Sequence, residues 1–176
     1  TAMVKRGASR PLLGLTMGDP AGIGPEVIAK ALADKALTRL CCPVVIGSRR
    51  VMERTITWLK LPFQVVEFQP TNSLRLKVGQ VAVADPLEGP LPTFRMGVAT
   101  AVTGAASIAC IKRAVELAQA GSLDGIVTAP INKEAMNMAG YHYPGHTELL
   151  AELTQTKEFG MMIVGGPLKI MFTTTH

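Results

Sequence analysis

The feature that most constrains the fold is an alternation of short apolar runs with helical patterns. Strand-like runs at 12–17, 43–47 and 64–68 are separated by helical periodicity at 25–37 and 49–60. Runs this short suit strands buried on both faces, and the helices between them suit the crossovers that parallel strands require. The pattern predicts an α/β fold around a parallel sheet. Pro25 fits the first turn of its helix, where a missing N–H costs nothing. Residues 69–97 change character: Pro70, Pro86, Pro90 and Pro92 surround short strand candidates at 74–77 and 80–84, and the segment reads as an excursion between α/β units. From Val98 to Ala120, Ile108, Ile111, Val115 and Ala118 recur at helical spacing, while Ala101, Gly104, Ala105, Ala106 and Ala109 keep the surface thin enough for close packing. This should be the longest helix, ended by Gly121. A strand at 125–129 stopped by Pro130, a helix over Thr147 to Gln155, and strands at 161–164 and 169–174 about a Gly165-Gly166-Pro167 turn complete the expectation.

Composition narrows the function classes. A hydrophobic content of 48% over 176 residues is ample for a packed core. Lys5, Arg6 and Arg10 contribute three of the five net positive charges and no acid lies among the first ten residues, so residues 11–176 carry +2. That mild excess suits a small phosphorylated substrate or simple solubility better than a nucleic acid, which calls for a clustered basic face interleaved with aromatics. Cys41, Cys42 and Cys110 form no CxxC pair, which argues against a zinc framework or disulfide scaffold and for a reducing cytoplasm. No apolar run approaches the about 18 residues of a membrane span, and the first ten residues lack the apolar region of a signal peptide. Residues 1–10 read as a tail and 11–176 as one α/β unit.

Two polar segments follow apolar runs. Gly18-Asp19-Pro20-Ala21-Gly22-Ile23-Gly24-Pro25-Glu26 succeeds the run at 12–17 and opens a helix; Asn132, Lys133, His146, Thr147 and Glu148 follow the run at 125–129. Ligands of open α/β sheets bind outside the carboxyl ends of the strands, so the two segments suggest one crevice. The loop of Gly18, Asp19, Gly22 and Gly24 lacks the Lys-Ser/Thr of a nucleotide-binding P-loop. It reads either as a tight strand-to-helix turn or as an active-site wall whose glycines and helix N-terminus approach an anion. His142 reads as an ordinary surface or core histidine. His146 differs, because Gly145 precedes it and Thr147-Glu148 follow, so that imidazole, hydroxyl and helix entrance converge. Glu148 serves equally as a helix-start acid, and Lys133 as a partner of a phosphate or carboxylate or as a solvated helix-start lysine.

The segments TMGDPAGIGPE (Thr16 to Glu26), DGIVTAPINKEAMN (Asp124 to Asn137), GHTELLAELT (Gly145 to Thr154) and TTTH (Thr173 to His176) together resemble the 4-hydroxythreonine-4-phosphate dehydrogenase family of pyridoxal phosphate biosynthesis and its relatives acting on other 4-phosphorylated hydroxy acids. The resemblance runs from about Pro11 to the last residue and covers an amino-terminal portion, the family's chain being roughly twice as long. It implies the α/β/α sandwich of isocitrate and isopropylmalate dehydrogenases, incomplete in these residues. The loop at 18–24 is similar to the GDGIGPE loop of those enzymes, with Pro-Ala inserted.

The resemblance further implies an NAD- or NADP-dependent, divalent-metal-assisted oxidation of 4-phosphohydroxy-L-threonine, with decarboxylation to 3-amino-2-oxopropyl phosphate. The metal would be zinc, magnesium, manganese or cobalt, with His176 as one ligand and the others on histidines absent from this chain, one supplied by a partner in a homodimer. The metal would polarise the alcohol oxygen as a Lewis acid. His146 and Thr147, with Lys133, would bind the substrate. Alternatives are a threonate or erythronate 4-phosphate dehydrogenase, a phosphate acyltransferase of related fold, and a non-catalytic phosphate-binding module. These residues taken alone are expected to lack dehydrogenase activity.

Overall fold

The computed structural model describes residues 3–5, 10–70, 75–87, 89 and 91–172. Its strands are β1 (Met3–Lys5), β2 (Leu12–Thr16), β3 (Cys42–Ile46), β4 (Gln64–Glu67), β5 (Arg75–Lys77), β6 (Gln80–Ala84), β7 (Gly125–Thr128), β8 (Met162–Gly165) and β9 (Leu168–Met171). Five of them form a sheet in the order β4-β6-β3-β2-β7, with every neighbouring pair parallel. β1 and β5 pair antiparallel apart from it.

Alternation along these strands sends side chains to two helical layers. Leu12, Val44, Ile46, Ala82 and Ala84 pack against Cys110, Ala114 and Leu117 of α4 (Ala101–Gln119). Leu15, Val45, Val81 and Val83 face the other way, onto Ile28, Ala29 and Leu32 of α1 (Gly24–Leu32) and Met52 and Ile56 of α3 (Arg49–Trp58). The result is the expected α/β class with three layers, helix on sheet on helix. Each wholly buried aliphatic side chain contributes roughly 1.5–3 kcal/mol by leaving water.

Three expectations need correction. The helix foreseen at 25–37 is two: α1 stops at Leu32, and Asp34, in an extended conformation, accepts a hydrogen bond from Ala36 N at 2.8 Å to start α2 (Lys35–Leu40). An aspartate side chain that satisfies a first-turn N–H favours a new helix over continuation. The segment at 80–84 is no excursion, since β6 lies inside the main sheet between β3 and β4 with Val81 to Ala84 buried. Lastly, the polar segment after Pro130 holds a six-residue helix, α5 (Lys133–Met138), of which the sequence shows only the helix-start reading of Lys133.

The long helix is as expected, started by a reciprocal Thr100–Thr103 capping box and followed by Gly121 at φ +71°. A Cβ on Gly104 would stand 2.0 Å from the Ala135 carbonyl oxygen, so α5 rests on α4 at backbone contact distance. Met136 of α5 and Leu149 of α6 (His146–Leu153) then close a small core with Ile108 and Ile111. β8 and β9 make an antiparallel hairpin about Gly166-Pro167 that no helix covers: every residue from Met162 to Met171 is exposed. Among the described residues no helix is long and apolar enough to cross a membrane.

Candidate active site

β2 and β7 are neighbours, with Thr16 opposite Thr128, so the polar segments that follow them leave the sheet side by side. They are bonded together. Ala129 N donates to Thr16 O at 3.1 Å and Asp19 N to Pro130 O at 3.0 Å. Two glycines make this possible: Gly18, at φ +69°, would place a Cβ 2.2 Å from Pro130 O, and Gly24 would place one 2.1 Å from Met17 O. A side chain at Gly18 would push the two loops apart, and one at Gly24 would open the turn between β2 and α1.

Asp19 is buried and turned inward, its Oδ1 accepting from Ala21 N at 2.8 Å while its carbonyl accepts from Gly22 N at 3.0 Å. It shapes the turn. Gly22 is uncrowded, with its nearest contact at 3.4 Å from Asp19 O. α1 begins directly after this turn with no side-chain cap and Pro25 in its first turn, so its remaining first-turn N–H groups have no intrahelical partner. Across the gap, Asn132 Oδ1 accepts from Ala135 N at 3.0 Å and starts α5, which places Lys133 exposed in the first turn.

His146 and Thr147 share the first turn of α6, whose N-cap, Gly145, offers no side-chain cap. The His146 ring is half-buried, and its Nε2 is fully buried without a hydrogen-bond partner. Burial lowers its pKa from the ordinary value, so the ring is neutral at pH 7. Such a nitrogen donates to an oxyanion or accepts from a hydroxyl according to its tautomer. His142, by contrast, is exposed and pairs through Nδ1 with Asn137 Oδ1 at 3.1 Å. The Tyr143 hydroxyl donates to Glu152 at 2.8 Å, and that bond raises its pKa.

Besides His146 Nε2, the hydroxyl of Thr16 is a buried polar atom with no partner among the described residues. Thr16 is the last residue of β2, just before the loop at 18–24; its place inside the run at 12–17 conceals it, and its position at the head of TMGDPAGIGPE is the signal the sequence offers. The candidate residues Gly18, Asp19, Gly22, Gly24 and Lys133 are thus brought to one end of the sheet, with His146 and Thr147 held on a helix docked through Leu149. His176 lies outside the described residues.

Comparison with known proteins places this arrangement. Over 168 residues the chain is 39% identical to a 4-hydroxythreonine-4-phosphate dehydrogenase of Trichlorobacter lovleyi, covering 95% of this chain and 50% of that protein. It is 41% identical over 167 residues to a D-threonate 4-phosphate dehydrogenase of Cupriavidus necator, covering 94% and 50% respectively. The crystal structure of a 4-hydroxythreonine-4-phosphate dehydrogenase from Burkholderia phymatum superposes with a TM-score of 0.83 at 39% identity, over 92% of this chain and 49% of that one. The chain therefore spans about half the length of the curated relatives it matches. The pattern of the pyridoxal phosphate biosynthetic protein PdxA matches residues 39–176, well over half of the chain, and on that ground the chain belongs to the PdxA family.

Proposed function

We propose that these residues form one wall of the active site of an NAD- or NADP-dependent dehydrogenase that oxidises the secondary alcohol of 4-phosphohydroxy-L-threonine. The substrate loses a hydride from the carbinol carbon to the nicotinamide and a proton from the hydroxyl; the resulting β-keto acid loses CO₂ to give 3-amino-2-oxopropyl phosphate. The observation that carries the reading is the buried, unpartnered Nε2 of neutral His146 in the first turn of an uncapped helix. A helix entrance with free N–H groups attracts the anionic parts of such a substrate, and the ring nitrogen orients it. Thr147 and Lys133 supply a hydroxyl and a cation.

The reading includes a cytoplasmic homodimer with a divalent metal shared between subunits. His176, the ligand that the resemblance implies, lies outside the described residues, among which no three His, Cys, Asp or Glu side chains are grouped to hold a metal ion. A second reading, oxidation of a threonate 4-phosphate, is supported by relatives of that name at comparable identity.

The test uses the full-length enzyme and the absorbance of reduced nicotinamide. His146→Ala should raise KM and lower kcat, whereas His142→Ala leaves both near wild type. Equal effects from the two substitutions would remove the role given to His146. Offering both phosphorylated acids to the same preparation decides between the two substrate readings.

A further inference from the structure

At the opposite end of the sheet, where β3, β4 and β6 begin, lies a cavity of about 710 Å³ that the proposed dehydrogenase chemistry does not use. Leu32, Cys41, Phe63 and Val81 contribute to largely apolar walls. Arg10, Lys35 and Lys77 also border it, and among the described residues no Asp or Glu does. We propose that this cavity is a second small-molecule site, for an amphipathic organic anion of the medium-chain carboxylate type, with the alkyl chain in the apolar interior and the carboxylate at Lys35 and Lys77.

Several observations converge on that ligand chemistry. The volume falls within the roughly 300–1,000 Å³ usual for sites that enclose a small molecule, and such sites pair apolar walls with a few convergent polar groups. The neutral acceptors of the wall are already engaged in local bonds: Thr38 Oγ1 donates to Lys35 O at 3.2 Å, and Gln80 Oε1 accepts from Lys77 N at 2.9 Å. Asp34, the acid next to Lys35, is turned to Ala36 N as the cap of α2. Neither Lys35 nor Lys77 has an ion-pair partner among the described residues. Arg10 donates to Thr38 O at 2.5 Å, which fixes its guanidinium on the same side. A concavity with apolar walls and cations of one sign favours a ligand with an apolar body and a negative head, and disfavours a neutral or cationic one.

Because all five strands of the sheet are parallel, this site and the loops after β2 and β7 lie at opposite ends of it. Five strand residues separate them in β3, roughly 16 Å at about 3.3 Å per residue, so the ligand does not compete directly for the substrate's place.

Isothermal titration calorimetry of the full-length protein with dispersed decanoate tests the proposal, with decanol as the neutral match and decyltrimethylammonium as the cationic one. Saturable binding of one decanoate per chain is expected, tighter than either match. The double substitution Lys35→Glu/Lys77→Glu, on exposed side chains that leave the core untouched, should weaken decanoate by at least about tenfold while leaving decanol unchanged. Ala33→Trp, filling the cavity from its exposed rim, should weaken both. Melting temperatures confirm that the variants are folded. The proposal is overturned if decanoate binds no tighter than decanol, if the charge-reversed variant binds decanoate like wild type, or if binding is seen only with decanoate incorporated in vesicles.

Discussion

The strands of the central sheet and those of the hairpin at 162–171 are similarly apolar, yet their surroundings are opposite. Val44, Val45 and Ile46 are wholly buried, whereas Ile163, Val164 and Ile170 are 52%, 58% and 51% exposed. β3 is paired along both edges and each hairpin strand along one, so in both regions every strand residue has at least one backbone partner. What the hairpin lacks is a second layer. Pairing satisfies hydrogen bonds, but removing aliphatic side chains from water requires helices on the faces, and a lone two-stranded hairpin is marginal in water. An uncovered apolar surface of this kind also invites association.

Substitutions can break or sharpen this contrast. The largest effect belongs to the sheet: Ile46→Ala, at a position packed against α4, should cost about 3 kcal/mol in urea unfolding. A cost below 1 kcal/mol would mean that the layered core is looser than described. Removing the cap that starts α5, by Asn132→Ala, should cost about 1 kcal/mol.

A smaller effect comes from His146. Its folded pKa lies below the unfolded value near 6.5, so in the interval between them the unfolded chain binds more protons. Stability should rise with pH through that interval and fall as pH drops below about 6.5. His146→Gln should flatten that part of the stability–pH curve, as read by unfolding midpoints across the range. The smallest effect on stability is expected in the hairpin, where Ile170→Ala should stay within about 0.5 kcal/mol. Ile163→Lys with Ile170→Lys should instead reduce self-association in sedimentation velocity. A large loss of stability from either hairpin substitution would show that the hairpin is covered in solution.

The parts of the fold legible in the sequence were those in which burial on both faces leaves an uninterrupted apolar run, as at 12–16 and 42–46. β6 carries the same signal, but the surrounding prolines hid its place in the sheet. α5, at six residues, is too short for periodicity to register. In the site, the meeting of the two loops could be suspected from their positions after strands, while the adjacency of β2 and β7 depends on topology across more than a hundred residues. Asp19 illustrates a further limit. A carboxylate that faces a ligand and one folded back onto Ala21 N look alike in sequence, whereas the half-buried His146 and the exposed His142 differ in their flanking residues, Gly145 and Thr147-Glu148 marking the first.

The β2–β7 pairing has a consequence for the order of folding. Leu12 N donates to Asp124 Oδ2 at 2.6 Å, and Asp124 N to Leu12 O at 2.8 Å, closing a segment of 112 residues. Closure of so long a segment carries a larger chain-entropy cost than any local turn and gains contacts only once it is complete. β3 with α3, or α4 with α5, can assemble from neighbours in sequence. The loops at 18–24 and 130–133 cannot meet before that closure, so the end of the sheet that carries the candidate site takes shape only when contacts between distant parts of the chain have formed.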